Sequence, residues 1–142
     1  MTYDSAYPYD INARQCDATK KDYVVTPTKS NKVVGQENMI NHVLNGGTLA
    51  VSLDATNIGQ YKSGIFSNCP SPTATHAMQI VGVNVLEGYW IVRNSWGATW
   101  GDQGHMKIAL VCVSPITYKT LNHNILARTV SHKISSCQSY AE

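Results

Sequence analysis

The chain is poor in charge. Of its 142 residues, 14% are Asp, Glu, Lys or Arg, and 11 basic against 9 acidic residues leave a formal net charge of +2. So small an excess makes no electrostatic case for a nucleic-acid or anionic-membrane partner. The same scarcity, beside 43% hydrophobic residues, argues against intrinsic disorder and against a long solvated helix or coiled coil. No apolar run approaches the ~20 residues that cross a bilayer. The start, Met1-Thr2-Tyr3-Asp4-Ser5, lacks the basic and apolar regions of a signal peptide. No internal repeat or low-complexity tract is present. Lys20, Lys21, Lys29 and Lys32 form only a loose basic stretch, read as a solvated loop.

None of the four cysteines, Cys16, Cys69, Cys112 and Cys137, forms a C-x-x-C pair. That removes the zinc-ribbon and thioredoxin patterns, and no metal or cofactor is expected. Four cysteines allow three disulfide pairings, and spacing alone does not choose among them.

The length is that of one domain with a substantial core. Residues 1–34, rich in Tyr, Pro, Asp, Asn, Thr and Lys, read as a loop-rich strap with a short strand near Tyr23-Val24-Val25. Met39, Ile40, Val43 and Leu44 then recur on one helical face, and Gly46-Gly47 stops the helix because glycine tolerates the left-handed position beyond it. His42 falls off that face and reads as a surface residue. Leu49, Val51 and Leu53 alternate with Ala50, Ser52 and Asp54, a half-buried strand with Asp54 in the outward phase.

A turn and short strand follow over 60–66, and a loop over 68–72. An interior strand spans 76–85, Glu87-Gly88 turns the chain, and an aromatic and β-branched strand runs from Tyr89 to Asn94. Gly97, Gly101 and Gly104 punctuate a tight loop before a last strand over 105–111. Residues 131–142 read as a polar tail on a domain of 1–130. The fold class is α+β: one short helix and an antiparallel sheet curling toward a barrel.

The chemistry concentrates between Thr75 and Gly101. The strands joined at Glu87-Gly88 should form a hairpin. If it is centred near Val85, His76 and Asn94 lie directly opposite, with Cβ atoms about 4.5–5.5 Å apart. The amide oxygen then accepts a hydrogen bond from one imidazole nitrogen and fixes the ring, leaving the other nitrogen to exchange a proton with a nucleophile. A slip of one residue would send the two side chains to opposite faces. An oriented His beside an uncharged Asn suits a thiolate, whose pKa an imidazolium lowers.

Asn94-Ser95-Trp96-Gly97-x-x-Trp100-Gly101-x-x-Gly104, preceded by Tyr89-Trp90-Ile91-Val92-Arg93, resembles the asparagine signature of papain-like (C1 family) cysteine proteases. Thr75-His76-Ala77-Met78-x-x-Val81-Gly82 resembles that family's histidine signature. Tyr7-Pro8-Tyr9 with Cys16, Gly47 to Ala55, and Tyr61 to Phe66 with Cys69 resemble its flanking segments, so the likeness covers about residues 7–112.

The resemblance implies His76 as general acid/base, Asn94 as the residue that holds its ring, and Trp96 as the cover over their hydrogen bond. It implies Trp100 on the leaving-group side of a cleft, and Leu49, Ala74 and Ala77 in an apolar pocket for the substrate. It also implies that Cys69 pairs near the end of the fold, with Cys112 or Cys137, and that Cys16 pairs with a cysteine in the other half of the fold. His105 stands where the family usually has an aromatic.

In papain-type enzymes the catalytic Cys precedes the His and Asn by about 130–150 residues. Cys16 is far too close to His76, and none of the four cysteines sits in a Cys-Gly-Ser-Cys-Trp-like context. The expectation is therefore the right-hand, β-rich half of the papain fold, lacking the left-hand domain that carries the Cys, the propeptide and the signal peptide. Sequence upstream of Met1 would supply that stretch.

The implied activity is cysteine-type peptide hydrolysis on a peptide or protein substrate, in a lysosomal or secreted enzyme, with this chain inactive alone. The alternatives are a non-catalytic peptide- or partner-binding module and a subunit active only beside a separate Cys-bearing chain.

Overall fold

A computed structural model describes residues 5, 8, 12, 30–69, 73–113 and 118–121. The chain divides into two units, Ser30–Leu121 and a second formed by Met1–Lys29 with Asn122–Glu142. Nearly all described residues belong to the first. The expected strand near Tyr23 and the tail from 131 lie outside the described residues.

The first unit contains β1 (Ser30–Val33), α1 (Gln36–Asn45), β2 (Leu49–Leu53), β3 (Ile65–Phe66), β4 (His76–Asn84), β5 (Tyr89–Arg93), β6 (His105–Ala109), a 3-10 turn (Leu110–Cys112) and β7 (Tyr118–Leu121). The strands form one seven-stranded sheet in the order β1-β7-β2-β4-β5-β6-β3. β3 runs parallel to β6, and the other neighbours are antiparallel. Among the described residues no helix is long and apolar enough to cross a membrane.

The core follows from the periodicities. β2 buries Leu49, Val51 and Leu53 and turns Ala50 and Ser52 outward. β4 is interior, between β2 and β5. Its Met78 and Ile80 join Trp90 and Val92 of β5, Met106 and Ile108 of β6, and Ile58 in one cluster. α1 lies against this cluster through Met39, with Ile40 and Val43 at the flank.

The helical stripe is narrower than the sequence pattern. Leu44 is 60% exposed; at 3.6 residues per turn it sits roughly 140° around the helix from Met39, on the rim of the buried arc. Of the two stop glycines, Gly46 keeps a right-handed conformation and Gly47 takes the positive φ, at 102°.

Two strands were not foreseen. β1 lies inside the expected loop-rich strap, and β7 follows the last expected strand. Both are short, β1 is polar, and neither alternates clearly. They pair with each other over four residues, and β7 also meets β2 at Ala50↔Lys119. Such pairing is non-local, so local pattern does not reveal it. A disulfide joins Cys69, just after β3, to Cys112 in the 3-10 turn. It resolves the choice of partner for Cys69 in favour of Cys112. Cys16 and Cys137 lie outside the described residues.

Candidate active site

His76 opens β4 and Asn94 follows the last residue of β5, so the two stand at the same end of neighbouring strands. His76 is held on its other side by β2, where it pairs with Leu53. Asn94 is anchored through its backbone N–H, which donates to Gly104 O at 2.9 Å. That carbonyl belongs to the glycine-punctuated loop. Gly104 takes a φ of 83°, and a Cβ added at Gly101 would come within 2.5 Å of His105 O. Glycine at 101 and 104 therefore lets the loop fold back tightly enough to reach Asn94.

The side chains meet. His76 Nε2 lies 2.9 Å from Asn94 Oδ1. The same oxygen accepts the Ser95 backbone N–H at 2.7 Å. An atom that accepts a backbone N–H must be the amide oxygen, which fixes the orientation of the Asn94 amide. The imidazole nitrogen facing it must then donate. The neutral ring carries its proton on Nε2, and Nδ1 keeps the lone pair, able to take a proton from a nucleophile. Asn94 is 8% exposed, and its Nδ2 has no hydrogen-bond partner among the described residues.

A ladder of rings leads away from the pair. Trp96 lies over the His76 ring, with centroids 5.0 Å apart and planes tilted by 30°. Trp100 meets Trp96 edge-on at 5.4 Å, and Tyr61 meets Trp100 at 5.8 Å. Trp96 is 41% exposed and Trp100 is buried, so the ladder runs from the surface into the core. Tyr61 ties its lower end to the loop before β3 and to β6: its hydroxyl donates to Gly64 O and accepts the Lys107 N–H.

The remaining residues with an expected site role are dispersed in burial. Ala74 and Ala77, on either side of His76, are exposed, while Leu49 is fully buried in the core, paired with Ile80. His105 is half-buried in β6, with Nδ1 against Gln103 O.

The register differs from the expected one. The hairpin turn occupies 85–88, closed by Gly88 N–H on Asn84 O and by the Asn84 side chain on Glu87. Asn84 pairs with Tyr89 and Gly82 with Ile91; then β4 bulges at Val81, and Ile80 pairs with Val92 and Gln79 with Arg93. Continued one step, this register sets Asn94 across from Met78, not His76. The centre lies beyond Val85 because the turn uses four residues.

Sequence reasoning also placed Asp54 on the outward phase of β2, yet it is 7% exposed. It lies just past the end of the strand, where alternation no longer governs it. Its carboxylate accepts from Thr56 and Thr75.

The fold and the pair define a class: an α+β unit that presents an amide-oriented imidazole at one end of its sheet. Residues 1–119 match the family described as papain family cysteine protease. A viral cathepsin of Choristoneura fumiferana nuclear polyhedrosis virus is 35% identical over 74% of this chain and 34% of its own length. The KDEL-tailed cysteine endopeptidase CEP2 of Arabidopsis thaliana is 32% identical over 76% of this chain and 32% of its own.

Among solved structures, the bromelain protease of Ananas comosus in complex with the E64 inhibitor superposes with a TM-score of 0.68. It is 28% identical, and the match covers 85% of this chain and 63% of that one. Digestive procathepsin L 3 of Tenebrio molitor larval midgut superposes at 0.70 with 26% identity, covering 83% and 42%. The chain belongs to the papain family of cysteine proteases, and its architecture is that of the right-hand α+β domain of their fold. It spans about a third of the length of the curated relatives it matches.

Proposed function

We propose that this chain carries the histidine and asparagine of a cysteine-type peptidase. His76 Nδ1 takes the proton of a cysteine thiol, Asn94 holds the ring, and Trp96 shields their hydrogen bond from water. The observation that carries this reading is the 2.9 Å contact between His76 Nε2 and Asn94 Oδ1, which puts the proton of the neutral ring on Nε2 and leaves Nδ1 as the base for a nucleophile.

The thiolate comes from a papain-type left-hand domain with a Cys-Gly-x-Cys-Trp stretch, which residues 1–142 do not contain. Cys69 and Cys112 are committed to each other. The substrate is a peptide or protein, and exposed Ala74 and Ala77 border the pocket for an apolar side chain, with Trp100 on the leaving-group side; Leu49, expected in that pocket, is instead buried in the core against Ile80, three pairs along from Ala77↔Ser52. The disulfide fits an oxidising compartment, lysosomal or secreted.

The test is to refold the chain with a separately produced Cys-bearing left-hand domain of a relative and assay a fluorogenic dipeptide substrate. The expected result is hydrolysis that an E-64-type inhibitor blocks and His76→Ala abolishes. A correctly folded, inactive mixture would count against catalysis, and peptide binding by it would favour a non-catalytic peptide- or partner-binding module.

A further inference from the structure

One buried carboxylate near the site has no place in the mechanism above. Asp54 follows the last residue of β2 and is 7% exposed. Its Oδ1 accepts the Thr56 backbone N–H at 3.0 Å, the Thr56 hydroxyl, and the Thr75 hydroxyl at 3.3 Å. Thr75 Oγ1 accepts the Ala55 N–H at 3.0 Å, and the Thr75 N–H donates to Leu53 O at 3.0 Å. Residues 53–56 and residue 75 thus form a clasp around one carboxylate.

The clasp lies one residue from His76. Thr75 is the last residue before β4, and His76 pairs with Leu53. The backbone that carries the imidazole is therefore fixed on the β2 side by the clasp, while Asn94 on the β5 side fixes the ring. A hydrogen bond of 2.9 Å between side chains on two strands needs both strands held, because small displacements weaken it steeply. A charged acceptor strengthens its bonds to hydroxyl and N–H donors, which suits a carboxylate to this task.

We propose that Asp54 is a positioning residue for His76, acting through the Thr75 hydroxyl. This rests on the reading of His76 and Asn94 given above and extends it to what keeps them in register. In this role Asp54 acts through Thr75 and not on the reacting atoms. Its work is to hold the strand entrance so that Nε2–H stays on Asn94 Oδ1.

The test is solvent exchange of the His76 Nε2–H, followed by 15N-edited NMR on the full chain, with melting temperature read in parallel. Asp54→Ala and Thr75→Val should speed exchange about tenfold, the scale of one hydrogen bond's net contribution. Thr75→Ser keeps the hydroxyl and should exchange like the parent, whereas Asp54→Asn keeps an acceptor oxygen without the charge and should exchange at a rate between those of the parent and Asp54→Ala. Because Thr75 is exposed, Thr75→Val serves if Asp54→Ala does not fold.

Unchanged exchange in Thr75→Val, or Thr75→Ser as fast as Thr75→Val, overturns the proposal. A protected Nε2–H in Asn94→Ala, or none in the parent chain, would instead overturn the His76–Asn94 pairing, and the clasp's role with it.

Discussion

His76 and Asn94 are diagonal partners across β4 and β5, and a bulge at Val81 makes them so. Starting at the turn, regular pairing would carry Asn94 across from Gln79 and turn His76 to the opposite face. The extra residue resets the alternation: Val83, Ile80 and Met78 point inward, and His76 follows in the same phase. Diagonal neighbours on one face remain within reach of longer side chains, and here the imidazole spans the gap.

This makes a first prediction. The bulged residue is dispensable although its register is not. Deleting Val81, which is 36% exposed, leaves Ile80↔Val92 and Gly82↔Ile91 to pair as a regular ladder with the same residues opposed. The Nε2–H of His76 should stay protected in that variant. A deletion variant that folds but loses the protected proton would show that the bulge does more than set phase.

Trp96 gives the second. It lies over His76 and is 41% exposed, so little of the fold depends on it. Trp96→Ala should change stability by no more than about 1 kcal/mol, the order of an aromatic pair. Exchange of the His76 Nε2–H should nevertheless rise several-fold, as water gains access to the pair. A large loss of melting temperature with unaltered exchange would assign Trp96 to the core instead.

Much of this was legible in the sequence, for a physical reason. α1, β2, β4 and β5 bury one face or both, and burial imposes a period that composition reveals: Leu49, Val51 and Leu53 announce their inward face. The glycines of the site loop announce their backbone. What stayed hidden depends on distant partners. β1 and β7 exist through each other, and the carboxylate of Asp54 accepts from Thr75, 21 residues away. The meeting of His76 and Asn94 was read from a direct opposition that the turn does not produce; the bulge supplies it by another route.

Leu49 gives the third prediction. It is fully buried against Ile80 in the central cluster. Leu49→Ala should cost about 2–5 kcal/mol, as for other large-to-small core changes. Denaturant unfolding measures this directly. Should the loss fall well below 1 kcal/mol, the side chain would belong to a pocket that tolerates its removal. Selectivity among dipeptide substrates in the refolded pair would then be the property to follow.

The last prediction concerns the disulfide. Cys69 and Cys112 are separated by 43 residues, and the closed loop contains β4, β5, β6 and both members of the His76–Asn94 pair. In the chain-entropy account a crosslink over a loop of that length stabilises by about 4 kcal/mol, chiefly by restricting the unfolded chain. Cys112→Ser, or reduction, should therefore lower unfolding stability by that order. The native hairpin has its own hydrogen bonds and core residues, so the His76 Nε2–H should remain protected below the new melting temperature. Comparing oxidised and reduced chains by denaturant titration and by exchange of that one proton separates the two effects. If reduction removes the protection while the sheet stays folded, the crosslink positions the site as well as stabilising the unit.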